Sequence, residues 1–278
     1  MVDAVNGLES RFIKAAGVNV HYQETGSGQP VICIHGAGPG ADSASNFRRN
    51  VDALSRHFRV VLYDMPQFGK SDKVVVDEGR LAFNARVLAD FMAGMGIAKA
   101  HIIGNSMGGQ VALKLAIDHP ERVGRLVVIG SGAVNRSLFT PLPVEGVKMI
   151  SDYYKGEGPT REKLRRLLET IVYDPSFLTE EVFEQRYQAS VEPETRKLFV
   201  ERQGPYRKED LAPDLPGIKS ETLVVWGLDD RFGALDVGLQ ITRLMPNAQM
   251  HIFSRCGHWA QVEHAEAFNR LVIGFLGG

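Results

Sequence analysis

Ser106 stands in Gly104-Asn105-Ser106-Met107-Gly108-Gly109, between the apolar run Ala100-His101-Ile102-Ile103 and residues 110–116, whose apolar positions recur at helical spacing. A Gly-x-Ser-x-Gly between a buried strand and a helix is a nucleophile elbow. The residues flanking the serine must lack bulk there, which glycine supplies. The elbow holds a hydroxyl out at a strand end and puts the Met107 N–H at a helix N-terminus, where unpaired donors favour an anion. A serine hydroxyl needs a base, and the base needs an orienter. His258, in Cys256-Gly257-His258-Trp259, follows glycine in the loop after the last apolar run. That is where a Ser…Asp…His order puts its base. The acid belongs to Gly227-Leu228-Asp229-Asp230-Arg231-Phe232, where two adjacent aspartates compete. Asp230, three residues after Gly227, has the spacing expected of the acid, and Asp229 is left to cap or to pair with Arg231.

Six near-continuous apolar runs must position these groups: residues 31–34, 60–63, 101–103, 126–129, 223–226 and 250–253. Such runs suit strands buried on both faces of a parallel sheet. Amphipathic segments lie between several of them, among them residues 81–95 and 110–118. Residues 10–14 and 18–22 alternate instead and predict an antiparallel hairpin at the sheet edge. The fold class is α/β, a mostly parallel doubly wound sheet. One interval breaks the rhythm. After Gly130-Ser131-Gly132 no strand begins until about Thr222, where a compact crossover would need only about a dozen residues. Residues 149–154, 163–172, 181–189 and 195–202 carry apolar positions at helical intervals. They predict a helical cap, residues 133–216, inserted into a core of residues 1–132 and 217–278, over the strand ends where α/β folds bind ligands.

Composition narrows the class further. The chain has 278 residues, 44% of them hydrophobic, and a formal net charge of −1, so it carries no electrostatic footprint for nucleic acid or an anionic membrane. No apolar run has the length of a membrane span, and Met1-Val2-Asp3-Ala4-Val5-Asn6-Gly7 has no leader character. Two cysteines, Cys33 and Cys256, make no disulfide framework or metal-like cluster, and a cytoplasmic setting is expected. Ile34-His35-Gly36-Ala37-Gly38-Pro39-Gly40 follows the first apolar run, where the second oxyanion donor, the Ala37 N–H, is expected. The loop lacks the Lys-Ser/Thr of a phosphate-binding P-loop.

With these pieces placed, the chain resembles the meta-cleavage product hydrolases, carbon–carbon bond hydrolases of the α/β-hydrolase superfamily. The resemblance runs nearly end to end. It is carried by His35-Gly36-Ala37-Gly38-Pro39-Gly40-Ala41, Ser45-Asn46-Phe47-Arg48-Arg49-Asn50, the Ser106 elbow, Gly227 to Phe232, Cys256-Gly257-His258-Trp259-Ala260-Gln261 and Glu263-His264-Ala265. It implies a 2-hydroxy-6-oxo-hexa-2,4-dienoate as substrate, ketonised and then hydrolysed between C5 and C6, with no cofactor and no metal. It also implies Ser106, Asp230 and His258 as the triad, and the Ala37 and Met107 N–H groups as oxyanion hole. Gly38, Asn46, Asn105, Phe232 and Trp259 would contact the substrate, with Arg186 meeting its dienoate end. A homo-oligomer is expected on the same ground.

Three segments depart from the family pattern: Ala37 for glycine, Gln67 for glycine, and Gly233-Ala234 for Val-Pro. The bare Gly233 is expected to leave room for the substrate's 6-substituent. A carboxylesterase or lactonase on the same fold is the rival reading, and a non-catalytic binding protein a remote one. Haloalkane dehalogenase chemistry is disfavoured because the elbow carries serine and not aspartate.

Overall fold

The computed structural model describes residues 7–141, 144–201 and 209–278. Residues 1–6, on which the leader reading rests, and Arg202, the end of the fourth helical segment, lie outside them. Among the described residues eight strands form one sheet in the order β1-β2-β4-β3-β5-β6-β7-β8. They are β1 (Arg11–Ala15), β2 (Val18–Thr25), β3 (Pro30–Ile34), β4 (Arg59–Tyr63), β5 (Ala100–Asn105), β6 (Val123–Ile129), β7 (Thr222–Gly227) and β8 (Ala248–Phe253). The alternating β1–β2 segment is the antiparallel edge hairpin, and β2 also lies antiparallel to β4. All later pairings are parallel.

The physical logic is layer packing. Every residue of β7 is buried, as are the last four of β3, β4 and β6, because helices cover both faces of the central strands. The helices α3 (Arg80–Gly94), α4 (Met107–Asp118) and α9 (Leu235–Leu244) contribute to the core on one side of the sheet. On the other side lie α1 (Ser43–Phe47), α2 (Val51–Ser55) and α11 (Ala265–Gly277), which contribute to a second core.

The run at 250–253 does not belong to a doubly buried strand. β8 is an edge strand, and Ile252 is 41% exposed. An apolar run of four residues does not reveal its place in the strand order, so edge and centre read alike.

Between β6 and β7 lie α5 (Glu145–Asp152), α6 (Arg161–Ile171), α7 (Glu180–Val191) and α8 (Pro193–Glu201). Thr160 caps α6 and Thr179 caps α7, each accepting an N–H at the third residue on. Apolar residues of this interval pack with Phe232, Trp259 and Val262 of the core: Tyr153 just after α5, Leu164, Leu167, Leu168 and Ile171 from α6, Phe183 from α7. Each such burial contributes about 1.5–3 kcal/mol. No helix among the described residues is long and apolar enough to cross a membrane.

Candidate active site

Ser106 sits between β5 and α4 with φ +53° and ψ −118°. Conformations of this kind cost on the order of 1–3 kcal/mol and persist only when surroundings enforce them. Here the enforcement is visible. A Cβ at Gly104 would fall 2.5 Å from the Gly108 carbonyl carbon, one at Gly108 2.3 Å from Ile34 O, and one at Gly109 onto the Ser131 side chain. The elbow glycines therefore let α4 settle onto β5 and the end of β3. Met107 is the first residue of α4, so its N–H has no partner within the helix.

The other two groups come from the loops after β7 and β8. His258 Nδ1 lies 2.8 Å from Asp230 Oδ2, with both side chains at most 6% exposed. A carboxylate only accepts, so Nδ1 carries the proton and donates to Asp230, which leaves Nε2 with the lone pair in the neutral ring. Asp230 Oδ1 accepts the Phe232 N–H at 2.7 Å and the Gly233 N–H at 2.8 Å. The Asp230 carboxylate is thus fixed by its own turn, and the His258 imidazole lies against the Phe232 ring, centroids 5.2 Å apart. Asp229 does not pair with Arg231. Its side chain accepts the Cys256 N–H at 3.3 Å, tying the acid loop to the histidine loop, and Arg231 reaches Glu145 at 2.7 Å.

Ser106 and His258 line one narrow cavity of about 40 Å³, together with Gly36, Ala37, Gly38, Asn46, Asn105, Arg186, Phe232 and Trp259. Every site residue expected from the sequence lines it except Asp230, one bond behind His258, and Met107, at the foot of α4. Asn46 donates to Asn105 Oδ1 at 3.3 Å, and Gln261 donates to Asn46 Oδ1 at 3.3 Å, so the amides hold one another. Asp42 caps α1, which carries Asn46. Asp64 accepts the Ser43 N–H at 2.9 Å and bonds His21 Nδ1 at 2.7 Å. Burial pushes the Asp64 carboxyl up, but these bonds outweigh it and hold it below the usual range. A wider cavity of about 630 Å³ adjoins Ser106, Met107 and Phe232 and is lined further on by Val134, Val144, Val147 and Trp226.

Arg186 is the unusual member. It lies on α7 and is 2% exposed. Its Nη2 donates to Pro39 O at 2.9 Å, its guanidinium lies 5.3 Å from the Trp259 ring centre, and its Nε has no hydrogen-bond partner. Among the described residues no carboxylate forms an ion pair with it. Burial pulls its pKa down to about 10, opposed by the charge of Asp42, so the group stays cationic at neutral pH.

The alpha/beta hydrolase fold family matches residues 29–265. A 2-hydroxy-6-oxononadienedioate/2-hydroxy-6-oxononatrienedioate hydrolase from Burkholderia vietnamiensis is 44% identical over 288 residues, 99% of each chain. A 2-hydroxy-6-oxo-6-phenylhexa-2,4-dienoate hydrolase from Burkholderia cepacia is 45% identical, covering 92% of this chain and 91% of that one. The structure of a meta-cleavage product hydrolase from Pseudomonas fluorescens superposes with TM-score 0.86 at 34% identity, covering 96% of this chain and 97% of that one. The chain belongs to the meta-cleavage product hydrolases of the α/β-hydrolase fold.

Within this hydrolase, Gly233 lines the 630 Å³ cavity, but a side chain there would press on the cavity's wall. A Cβ there would fall 2.9 Å from Trp226 Cζ2 and 3.0 Å from Asp230 Oδ2, and the Gly233 carbonyl accepts the Trp226 indole N–H at 3.0 Å. The glycine is set by the fully buried Trp226 and by the acid turn, a contact that no local pattern reveals. Gln67 adopts φ +78°, a left-handed conformation that explains glycine's suitability there, and its side-chain amide donates to Val74 O at 2.8 Å. Sequence reasoning also missed Ile150 and Ile171, which line the cavity from α5 and α6. Their apolar character at helical spacing marks only a buried face.

Proposed function

We propose that this protein hydrolyses the C5–C6 bond of a 2-hydroxy-6-oxo-hexa-2,4-dienoate, giving a 2-hydroxypenta-2,4-dienoate and a carboxylic acid, with residues 133–216 acting as the cap over the site. The observation that carries the reading is Arg186: a buried guanidinium with an unpaired Nε, lining the cavity that Ser106 and His258 share. A buried charge with no carboxylate in ion-pair contact is costly, and a carboxylate ligand relieves that cost. Its planar donors suit a carboxylate with an adjacent 2-oxo group. A simple esterase has no use for such a group.

The chemistry follows from the substrate. Moving the 2-hydroxyl proton to C5 makes C5 a methylene and C2 a ketone. A nucleophilic oxygen then adds to C6. When the C5–C6 bond breaks, its electron pair runs through the conjugated chain to the 2-oxygen beside Arg186, so the contact strengthens in the transition state. His258, oriented by Asp230, takes the proton of the attacking oxygen. The Ala37 and Met107 N–H groups would receive the oxyanion at C6. The 40 Å³ cavity holds little more than water as it stands, and the adjoining 630 Å³ space is the one that can take the 6-acyl group.

Arg186→Gln tests the reading. Turnover of the dienoate should fall by about two to three orders of magnitude, as when one partner of a buried charged contact is removed. Hydrolysis of a neutral nitrophenyl ester, assayed in parallel, should stay near wild type. Similar small effects on both substrates would favour the esterase.

A further inference from the structure

One carboxylate ties the histidine loop to the inserted helices. Glu263, the last residue of α10 (Ala260–Glu263), accepts the Gly257 N–H through Oε1 at 2.8 Å. Its Oε2 accepts the Tyr173 N–H at 2.7 Å and the Asp174 N–H at 3.3 Å. Gly257 adjoins His258, whereas Tyr173 and Asp174 follow the end of α6. Both oxygens of a single side chain are therefore occupied on segments far apart in the chain. A direct link runs beside it: the His258 N–H donates to Ile171 O at 2.6 Å. The approach is so close that a Cβ at Gly257 would fall 2.4 Å from Ile171 O and 2.9 Å from Tyr173 N. Ile171 itself lines the cavity around Ser106. Burial lifts the Glu263 carboxyl above the usual glutamate range, and the three N–H donors pull against that rise.

We propose that Glu263 is a positioning residue for His258, locking the imidazole to the end of α6 so that contact between substrate and Ile171 sets where the base stands. The inference rests on the reading of His258 as the base. It assigns the base's placement jointly to the core and to the inserted helices. With the clasp intact, a shift of α6 is transmitted to the histidine loop through two N–H contacts on one side and one on the other. Without it, the Ile171 carbonyl and the Arg255 guanidinium over the Tyr173 ring, 5.8 Å from its centre, are left to link the two segments.

Glu263→Gln is the decisive variant, because it keeps length and volume but offers one acceptor oxygen and sets an NH₂ group against backbone N–H donors on one side. We expect kcat on the dienoate to fall about ten- to hundredfold, the cost of a misplacement of about 1 Å, with little change in KM. The rate at which a fluorophosphonate labels Ser106 should fall by the same factor per titrated site, since labelling uses Ser106 and His258 but neither Arg186 nor the dienoate. Glu263→Asp, with a carboxylate too short to span both segments, should recover part of the loss. Per-site turnover and labelling at wild-type rates, with only the melting temperature or the active fraction lowered, would overturn the proposal, as would a change confined to KM. If Glu263→Gln does not fold, Glu263→Asp carries the same outcomes. His258→Gln separates the two levels: labelling at the wild-type rate there would remove the base assignment itself, whatever Glu263 does.

Discussion

Two regions meet at the Ser106 cavity and are built differently. At the strand ends, Gly104, Gly108 and Gly109 bring β5, β3 and α4 within distances that no side chain permits, and Asp230 is held by two N–H groups of its own turn. From the other side, α7 reaches the cavity with one long side chain, Arg186, supported by a single hydrogen bond to Pro39 O and the Trp259 ring. Asp230 and His258 already hold each other at 2.8 Å, the preorganisation that general base catalysis needs before substrate arrives. Arg186 has donors to spare, which is what recognition needs. On the proposed function, the core would supply the reacting groups and α7 a contact for the dienoate end of the substrate.

The sharpest way to break this division is Ser106→Ala. Turnover should fall by about 10⁴-fold or more, because members of a triad act as a unit, while dienoate binding, read from its absorbance in single-turnover mixing, should survive. Loss of binding as well would show that the two regions do not divide the work. Gly108→Ala comes next. Its Cβ would stand 2.3 Å from Ile34 O and 2.6 Å from His35 O, which are backbone atoms that cannot swing aside. A loss of about 1–3 kcal/mol or more in urea unfolding is expected, together with loss of activity on every substrate.

Gly233→Val sharpens the boundary. The branched side chain would press on Trp226 and Asp230, so activity on 6-methyl and 6-phenyl dienoates should fall alike, by about 1–3 kcal/mol of transition-state stabilisation. Selective loss on the bulky substrate alone would show that a side chain at position 233 enters the 6-acyl space instead. The smallest effect is in pH. With its pKa near 10, the Arg186 cation is present below that pH and is lost as pH rises through it. KM for the dienoate should therefore begin to rise as pH approaches 10, while KM for a neutral ester stays flat. Parallel curves for the two substrates would show that Arg186 does not meet the dienoate's charge.

Much of this was legible in the residues. The elbow, the Ser…Asp…His order and the apolar runs located β3 to β7 and singled out Ser106, Asp230 and His258, which the structure gathers at one cavity, because period and turn chemistry are local properties that a chain carries in its order of residues. The edge hairpin was legible for the same reason: alternation reports a strand with one face covered. Arg186 was legible only through resemblance, since an arginine on an amphipathic helix otherwise reads as a solvated charge. The two aspartates of the acid loop were separable by spacing, but Asp229's true partner, the Cys256 N–H, belongs to the loop after β8, 27 residues away.

What the sequence alone determined is the chemistry: a serine elbow, a base and an acid in the order of a hydrolase fold, and a long helical interruption before the acid. Only the tertiary structure decided that β8 is an edge, that Gly233 yields to Trp226, that Arg186 is buried with a donor unspent, and that Glu263 joins the histidine loop to α6. Each of these depends on which segments become neighbours across the sheet or across the cavity. Burial, close approach and hydrogen-bond satisfaction are properties of pairs of segments, and spacing along one segment does not contain them.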